Sequence, residues 1–230
     1  MTTTRWRVSS LLAVEAMYVL PMRASTQATS TRYPFAPRPL PEAEEIALAQ
    51  SAAPLQVSSN ADIYVLRGTE FVMARAGTNG CSCMVSRDLH ETSLYPICFD
   101  QEGSRSLLQR EMMETTLRAQ GFSEEQVKTR VSEALASGRL VRPARPALAY
   151  MMSPKQVLFS SAGAEGRRVG AWHPHIMIGG VNVSAEQIGL AGSRYLYIQA
   201  GGESGSLHDL VVLLPVWSDD TAAPRGSGRP

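Results

Sequence analysis

The run Gly77-Thr78-Asn79-Gly80-Cys81-Ser82-Cys83, answered downstream by Cys98, constrains the fold of this chain more than any other stretch. Asn79-Gly80 tolerates the positive φ that a tight hairpin requires, so the run predicts a turn between two strands. Before it, Asp62 to Arg67 and Phe71 to Ala76 are rich in β-branched, aromatic and apolar residues, joined by the short Gly68-Thr69-Glu70. After it, Cys81 to Val85 predicts a third strand, and the three together read as an antiparallel meander. Cys81 and Cys83, two apart on a strand, point to one face. A bridge from one of them to Cys98 closes a loop of about 15 residues and adds roughly 3 kcal/mol in the chain-entropy description. Buried free thiols and a metal or redox site are the alternatives, although Cys-x-Cys is a poor spacing for structural zinc.

The rest of the chain predicts one α+β domain over residues 41–217. Pro41-Glu42-Ala43-Glu44-Glu45 opens a helix that ends before Pro54, with acids at the positive end of its dipole. A helix from about Ser104 to Gln120 follows the cysteine region, and Gly121 stops it. The next has strong start chemistry: Ser123 and Gln126 form a capping box, and Phe122 can staple onto Val127. Val127, Val131, Ala134 and Leu135 then give it a buried face. Short apolar strands return at Ala147–Met152, Gln156–Phe159, His175–Ile178, Tyr195–Gln199 and Leu210–Val216. Strands, two helices, then strands predict a mainly antiparallel sheet or partial barrel with a two-helix insertion.

The ends differ in composition. Arg5 and Arg7 precede Leu11-Leu12-Ala13-Val14 and the apolar stretch to Met22, with Ala24-Ser25-Thr26 after it. That basic, apolar, small order predicts a signal peptide over residues 1–26. Residues 27–40, with Pro34, Pro37 and Pro39, read as an extended linker, and the Pro/Gly-rich residues 218–230 as a disordered tail. No apolar run reaches the ~20 residues needed to span a bilayer. Formal net charge is +1, so no whole-chain field points to nucleic acid.

Several motifs together carry a resemblance. Gly77-Thr78-Asn79-Gly80, Cys83 and Cys98-Phe99-Asp100, with Ala149-Tyr150-Met151-Met152, Pro174-His175-Ile176-Met177 and Leu207-His208 leading to Leu214-Pro215-Val216, resemble a group of bacterial exported proteins with no established activity. The resemblance spans roughly Ala61 to Val216. It implies an exported location, periplasmic or extracellular, and a Cys83–Cys98 pair. The group has an aromatic residue where Cys81 stands, which leaves Cys81 as the odd thiol.

Candidate chemistry centres on the histidines. His173-Pro174-His175 alternates beside a strand start, and His208-Asp209 opens the last strong strand. Three imidazoles and a carboxylate suit a divalent transition metal. His173-x-His175 and Gly205-x-x-His208 are similar to cupin motifs, but the cupin glutamate after the first is missing. His90 lies in a polar loop. No nucleophile elbow, phosphate loop, dinucleotide fingerprint or His-Glu-x-x-His is present. Asp100-Gln101-Glu102 reads as a helix start before a cation site. The leading expectation is an exported binding or structural domain for a small molecule or protein, with its interaction surface at strand edges or between the helix pair and the sheet. The alternatives are a metal-dependent enzyme using His173, His175 and His208, and a thiol redox protein using an exposed, acidic Cys81.

Overall fold

The computed structural model describes residues 40–88, 93–156, 158–159, 168–170, 173–181, 183–189, 193–199 and 209–219. The expected signal peptide, the linker up to residue 39, His90, His208 and the chain beyond residue 219 lie outside the described residues.

Helix α1 (Glu42–Gln50) and a short α2 (Leu55–Ser58) lead into strands β1 (Asp62–Arg67), β2 (Glu70–Arg75), β3 (Ser82–Asp88) and β4 (Ser93–Phe99). Helices α3 (Gln101–Arg105), α4 (Leu107–Ala119) and α5 (Glu124–Ala136) follow. Then come β5 (Ala147–Met151), β6 (Leu158–Phe159), β7 (Arg168–Gly170), β8 (His175–Gly179), β9 (Leu196–Gln199) and β10 (Asp209–Leu213). Eight strands form one sheet in the order β2-β1-β3-β4-β5-β8-β10-β9, while β6 and β7 make a separate ribbon. The fold is mixed α+β and the sheet is open, with β2 and β9 as edges, rather than a partial barrel.

The expected meander is corrected at its third strand. β1 and β2 form the antiparallel hairpin, but β3 pairs with β1, and it does so in parallel. The reason is burial. Cys83, Met84 and Val85 are consecutive and each fully buried, so β3 needs cover on both faces and a strand on either side. β2, with Val72 and Met73 about half exposed, suits an edge. The chain therefore passes beneath the start of β1 to reach a central place.

Gly77 to Cys81 make that passage instead of a β2–β3 hairpin. Gly77 N–H donates to Asp62 Oδ1 (2.6 Å), Thr78 N–H to Asn60 O (2.8 Å), and Asn79 Nδ2 to Val57 O (2.7 Å). Asn79 Oδ1 accepts from Cys81 N–H (3.0 Å), and Gly80 takes φ +73°. A Cβ on Gly77 would stand 2.3 Å from Asn60 O. The Gly77→Ala variant is expected to lose about 1–3 kcal/mol through forced backbone displacement. A urea midpoint equal to that of the wild type would contradict this role for Gly77.

β4 is a strand the sequence conceals, because Pro96 lies in its middle. Cys83 and Cys98 are directly opposed with Cα atoms 4.0 Å apart, the close spacing of a non-hydrogen-bonded pair. Pro96, opposite Val85 two positions on, has the same kind of site, so its missing N–H faces away from β3. On that side β5 meets β4 only at Cys98 and Phe99, and no ladder bond is lost.

Two apolar layers sandwich this half of the sheet. On one face α1 and α2 cover Ile63, Val65, Cys83, Val85 and Cys98. On the other, Leu108 of α4 packs on Met84, Ile97, Phe99, Ala149 and Met151. α5 packs on α4 through a smaller core of Leu117, Val127, Val131 and Ala134. The helix expected from Ser104 is split: α3 begins at Gln101, and Ser106 (φ −124°, ψ −73°) breaks it from α4. α5 starts as expected, with both capping-box bonds between Ser123 and Gln126. Ser218, placed by sequence in the tail, donates its N–H to Met152 O (2.9 Å) and its hydroxyl to Ser51 O (2.5 Å).

Candidate functional site

Cys83 and Cys98 form the disulfide, and both are fully buried beneath α1. Cys81, the free thiol, is half-buried beside the same cluster, just before β3. Burial, with Asp100 adding to it, raises the Cys81 thiol pKa. Burial also raises the Tyr150 hydroxyl pKa, with Cys81 and Asp100 adding to it. The redox reading needs a lowered thiol pKa, and these neighbours act in the opposite direction. Asp100 itself caps α3, accepting from Gly103 N–H (2.7 Å).

The histidine constellation divides along β8 and β10. His175 begins β8, opposite Met151 of β5 and Leu213 of β10. Pro174 precedes the strand and so does not interrupt it. The His175 ring is buried, with Nδ1 2.7 Å from His173 O; a carbonyl only accepts, so Nδ1 carries the proton. Asp209 opens β10 four residues before Leu213, which sets it ~13 Å along the sheet from His175. Metal–imidazole bonds are ~2 Å, so His175 and Asp209 do not share one ion. His173 is exposed, His208 lies outside the described residues, and among the described residues no three His, Cys, Asp or Glu groups converge.

Burial lowers the His175 pKa below its ordinary 6.5, although its bond to the His173 carbonyl opposes the shift. The unfolded chain therefore takes up a proton first as pH falls. Stability from the neutral imidazole is complete above about pH 6.5 and is lost as pH drops through the depressed folded value. Urea unfolding between about pH 7.5 and pH 5 should show a steeper fall for the wild type than for His175→Gln, by up to ~1.4 kcal/mol per pH unit. Equal slopes would remove His175 from the acid response.

Two recesses open between α4 and the sheet, both touching Leu107, Arg110 and Asp209. Their volumes are about 30 and 50 Å³, room for a water or two, whereas metabolite sites need about 300 Å³ or more. Their charges are also engaged. Arg110 pairs with Glu114 (3.0 Å), and Glu111 accepts from the Tyr95 hydroxyl (3.3 Å) and from Ser86. The groove between α4 and the sheet thus sets Arg110, Glu111 and Asp209 among apolar neighbours such as Ile97, Phe99 and Met177. Glu102 is similarly occupied. It accepts from Ala144 N–H (2.8 Å), Arg145 (3.3 Å) and Arg105, and the Ala144 bond is the main cause of its lowered pKa. It clamps the strap between α5 and β5 and leaves little for a cation.

The remaining surface is one that sequence reasoning missed. Register aligns Tyr150, Ile176, Val212 and Leu196 in one row across β5, β8, β10 and β9. Leu148, Ile178, Leu210 and Ile198 form a second row on the same face, two residues away. Tyr150 packs into the disulfide-side core, so both rows lie on the face that carries α1. α1 stands over β1, β3 and β4 and stops there, and no described helix covers the rows on β8, β9 and β10. All eight side chains are partly exposed. The only sequence signal was an i, i+2 apolar pair in each strand; their alignment needed the register. No protein-family model, no curated protein and no solved structure matches this chain.

Proposed function

We propose that the chain is an exported α+β domain that acts as a docking scaffold, with the two apolar rows of β5, β8, β10 and β9 receiving an apolar segment. The rows carry the proposal. Eight aligned apolar side chains form a continuous face, and single exposed apolar residues would need no such explanation. The small recesses support binding by surface over a metabolite cleft. The buried disulfide suits an oxidising compartment, and no described helix is long and apolar enough to cross a membrane.

Photochemical carbene footprinting of the native full chain tests the docking face. Labelling of Ile176, Ile178, Leu210 and Val212 near the background of buried Val65 and Val85 is expected of an occupied face. Labelling that approaches that of edge residue Val72 would sink the reading. Export is tested separately by fusing residues 1–40 to a reporter that matures only in an oxidising compartment; an inactive fusion removes the exported location.

A further inference from the structure

We infer that the outer edge of β9 pairs antiparallel with β9 of a second copy, joining two eight-stranded sheets into one. The inference goes beyond the docking-face reading, because backbone groups of the edge carry it and the apolar rows do not.

The register fixes which backbone groups face outward. Leu213 N–H donates to Tyr195 O (2.8 Å), so these opposed residues form a hydrogen-bonded pair. Antiparallel pairs alternate, so Val211 and Tyr197 are bonded in the same way, while Val212–Leu196 and Leu210–Ile198 are not. The N–H and C=O groups of Leu196 and Ile198 therefore turn away from β10, toward the side where no described strand follows. Leu196 N–H is held there by the Ser193 hydroxyl (3.1 Å), so Ile198 N–H and both carbonyls are what the edge offers.

The two edges of the sheet differ. β2 carries Glu70 and Arg75 at its ends and an irregular register against Ile63 and Tyr64, and Arg75 is tied to Ser58 O and Ala61 O. Charges and bulges of this kind keep an edge from pairing with another chain. β9 reads Leu-Tyr-Ile-Gln, in continuous register and with no charge or proline. Its tyrosines stand out from the sheet, Tyr195 at 71% and Tyr197 at 43% exposure. An edge of strand-forming residues without these protections is a template for another strand.

A second β9 fits that template. With a two-fold axis normal to the sheet at Tyr197, Leu196 of each copy lies opposite Ile198 of the other. Ile198 N–H then donates to Leu196 O across the axis, twice, and Leu196 N–H can exchange the exposed Ser193 hydroxyl for Ile198 O. A centre at Leu196 or Ile198 would oppose that residue to itself and set the other against chain beyond the ends of β9. The axis keeps each face on its own side. The apolar rows of the two copies thus become continuous and grow from on the order of 250 Å² to about 500 Å², the size of a functional surface patch. Edges this short bury less than the ~800 Å² per partner of a stable complex, so the association is weak and concentration-dependent.

Cysteine placement in a Cys81→Ser background tests the register. Across the axis the two residues 197 form a non-hydrogen-bonded pair with Cα atoms ~4.5 Å apart, within reach of a disulfide, whereas the two residues 195 lie ~14 Å apart. With oxidised glutathione, Tyr197→Cys is expected to form covalent dimer about tenfold faster than Tyr195→Cys. Exposure alone predicts the reverse order, because Tyr195 is the more exposed. Equal rates, faster linking at position 195, or no dimer from either would overturn the pairing. Sedimentation supplies a second measurement. The native chain of 24.9 kDa should rise toward twice that mass as its concentration approaches about 0.5 mM. Tyr197→Lys, which opposes two ammonium groups across the axis, should stay at the monomer mass with circular dichroism unchanged. A native chain of constant monomer mass, or equal association of Tyr197→Lys, would also overturn the pairing. Labelling of Ile176 and Val212 reads the docking face separately, so either reading can fail while the other stands.

Discussion

Replacing both Cys83 and Cys98 with alanine, in a Cys81→Ser background that prevents reshuffling, should lower the unfolding free energy by about 3 kcal/mol. The bridge spans a sequence separation of 15, and closing a loop of that length restricts the unfolded chain by about that amount. For a domain of this size the loss corresponds to a fall in Tm of roughly 6–12 °C. The bridge ties β3 to β4 at a fully buried pair where three layers meet, so no alternative cross-link holds that register. Reductant should act only through opening of the domain, because neither sulfur is accessible. Scanning calorimetry with and without reductant checks both points. A loss below about 1 kcal/mol would show that the β3–β4 hairpin persists in the unfolded chain, leaving the bridge little to restrict.

Local chemistry was legible in the sequence where it decided the structure locally. The Ser123/Gln126 box makes both of its bonds because capping depends on four consecutive residues. The β1–β2 hairpin formed for the same reason. What failed was the choice of neighbour. Asn79-Gly80 has the composition of a hairpin turn, yet Asn79 spends its side chain on Val57 O and Cys81 N–H, and β3 pairs with β1. That outcome is set by which strand must be buried on both faces, a property of the assembled sheet. β4 was hidden because Pro96 is acceptable only at a site whose unpaired side is known in advance. The apolar rows behave alike: each strand's two residues were visible, and their alignment over four strands was not. His175 and Asp209 were read as neighbours from their proximity to strand starts, but antiparallel pairing puts the starts of β8 and β10 at opposite ends.

Glu45 gives the second large expected effect. By sequence it was one of three acids favouring a helix N-terminus, yet it is fully buried and bonded to Arg87, which is only 2% exposed. Arg87 Nη2 meets Glu45 Oε1 at 2.8 Å, Arg87 Nη1 donates to Val85 O at 2.9 Å, and Glu45 Oε1 also accepts from Leu66 N–H at 3.0 Å. Arg87→Met should therefore cost about 3–5 kcal/mol, because it strands a carboxylate in a core with no counter-charge. The pair itself is imperfect: Glu45 Oε2 and Arg87 Nε have no hydrogen-bond partner. Its attraction is thus offset by desolvation, and replacing both members should be far milder than replacing one. Glu45→Met with Arg87→Met is expected within about 1–2 kcal/mol of the wild type, the residual reflecting the acceptor that Leu66 N–H loses. Urea unfolding of the two single variants and the double measures the coupling directly. If the double variant is as unstable as Arg87→Met alone, the pair is not acting as a unit, and the loss comes from Arg87's packing and its bond to Val85. If it recovers, the pair contributes little net stability and instead selects the seat of α1 over β1 and β3. Hydrogen exchange should then show α1 amides less protected in the double variant although its global stability is nearly restored.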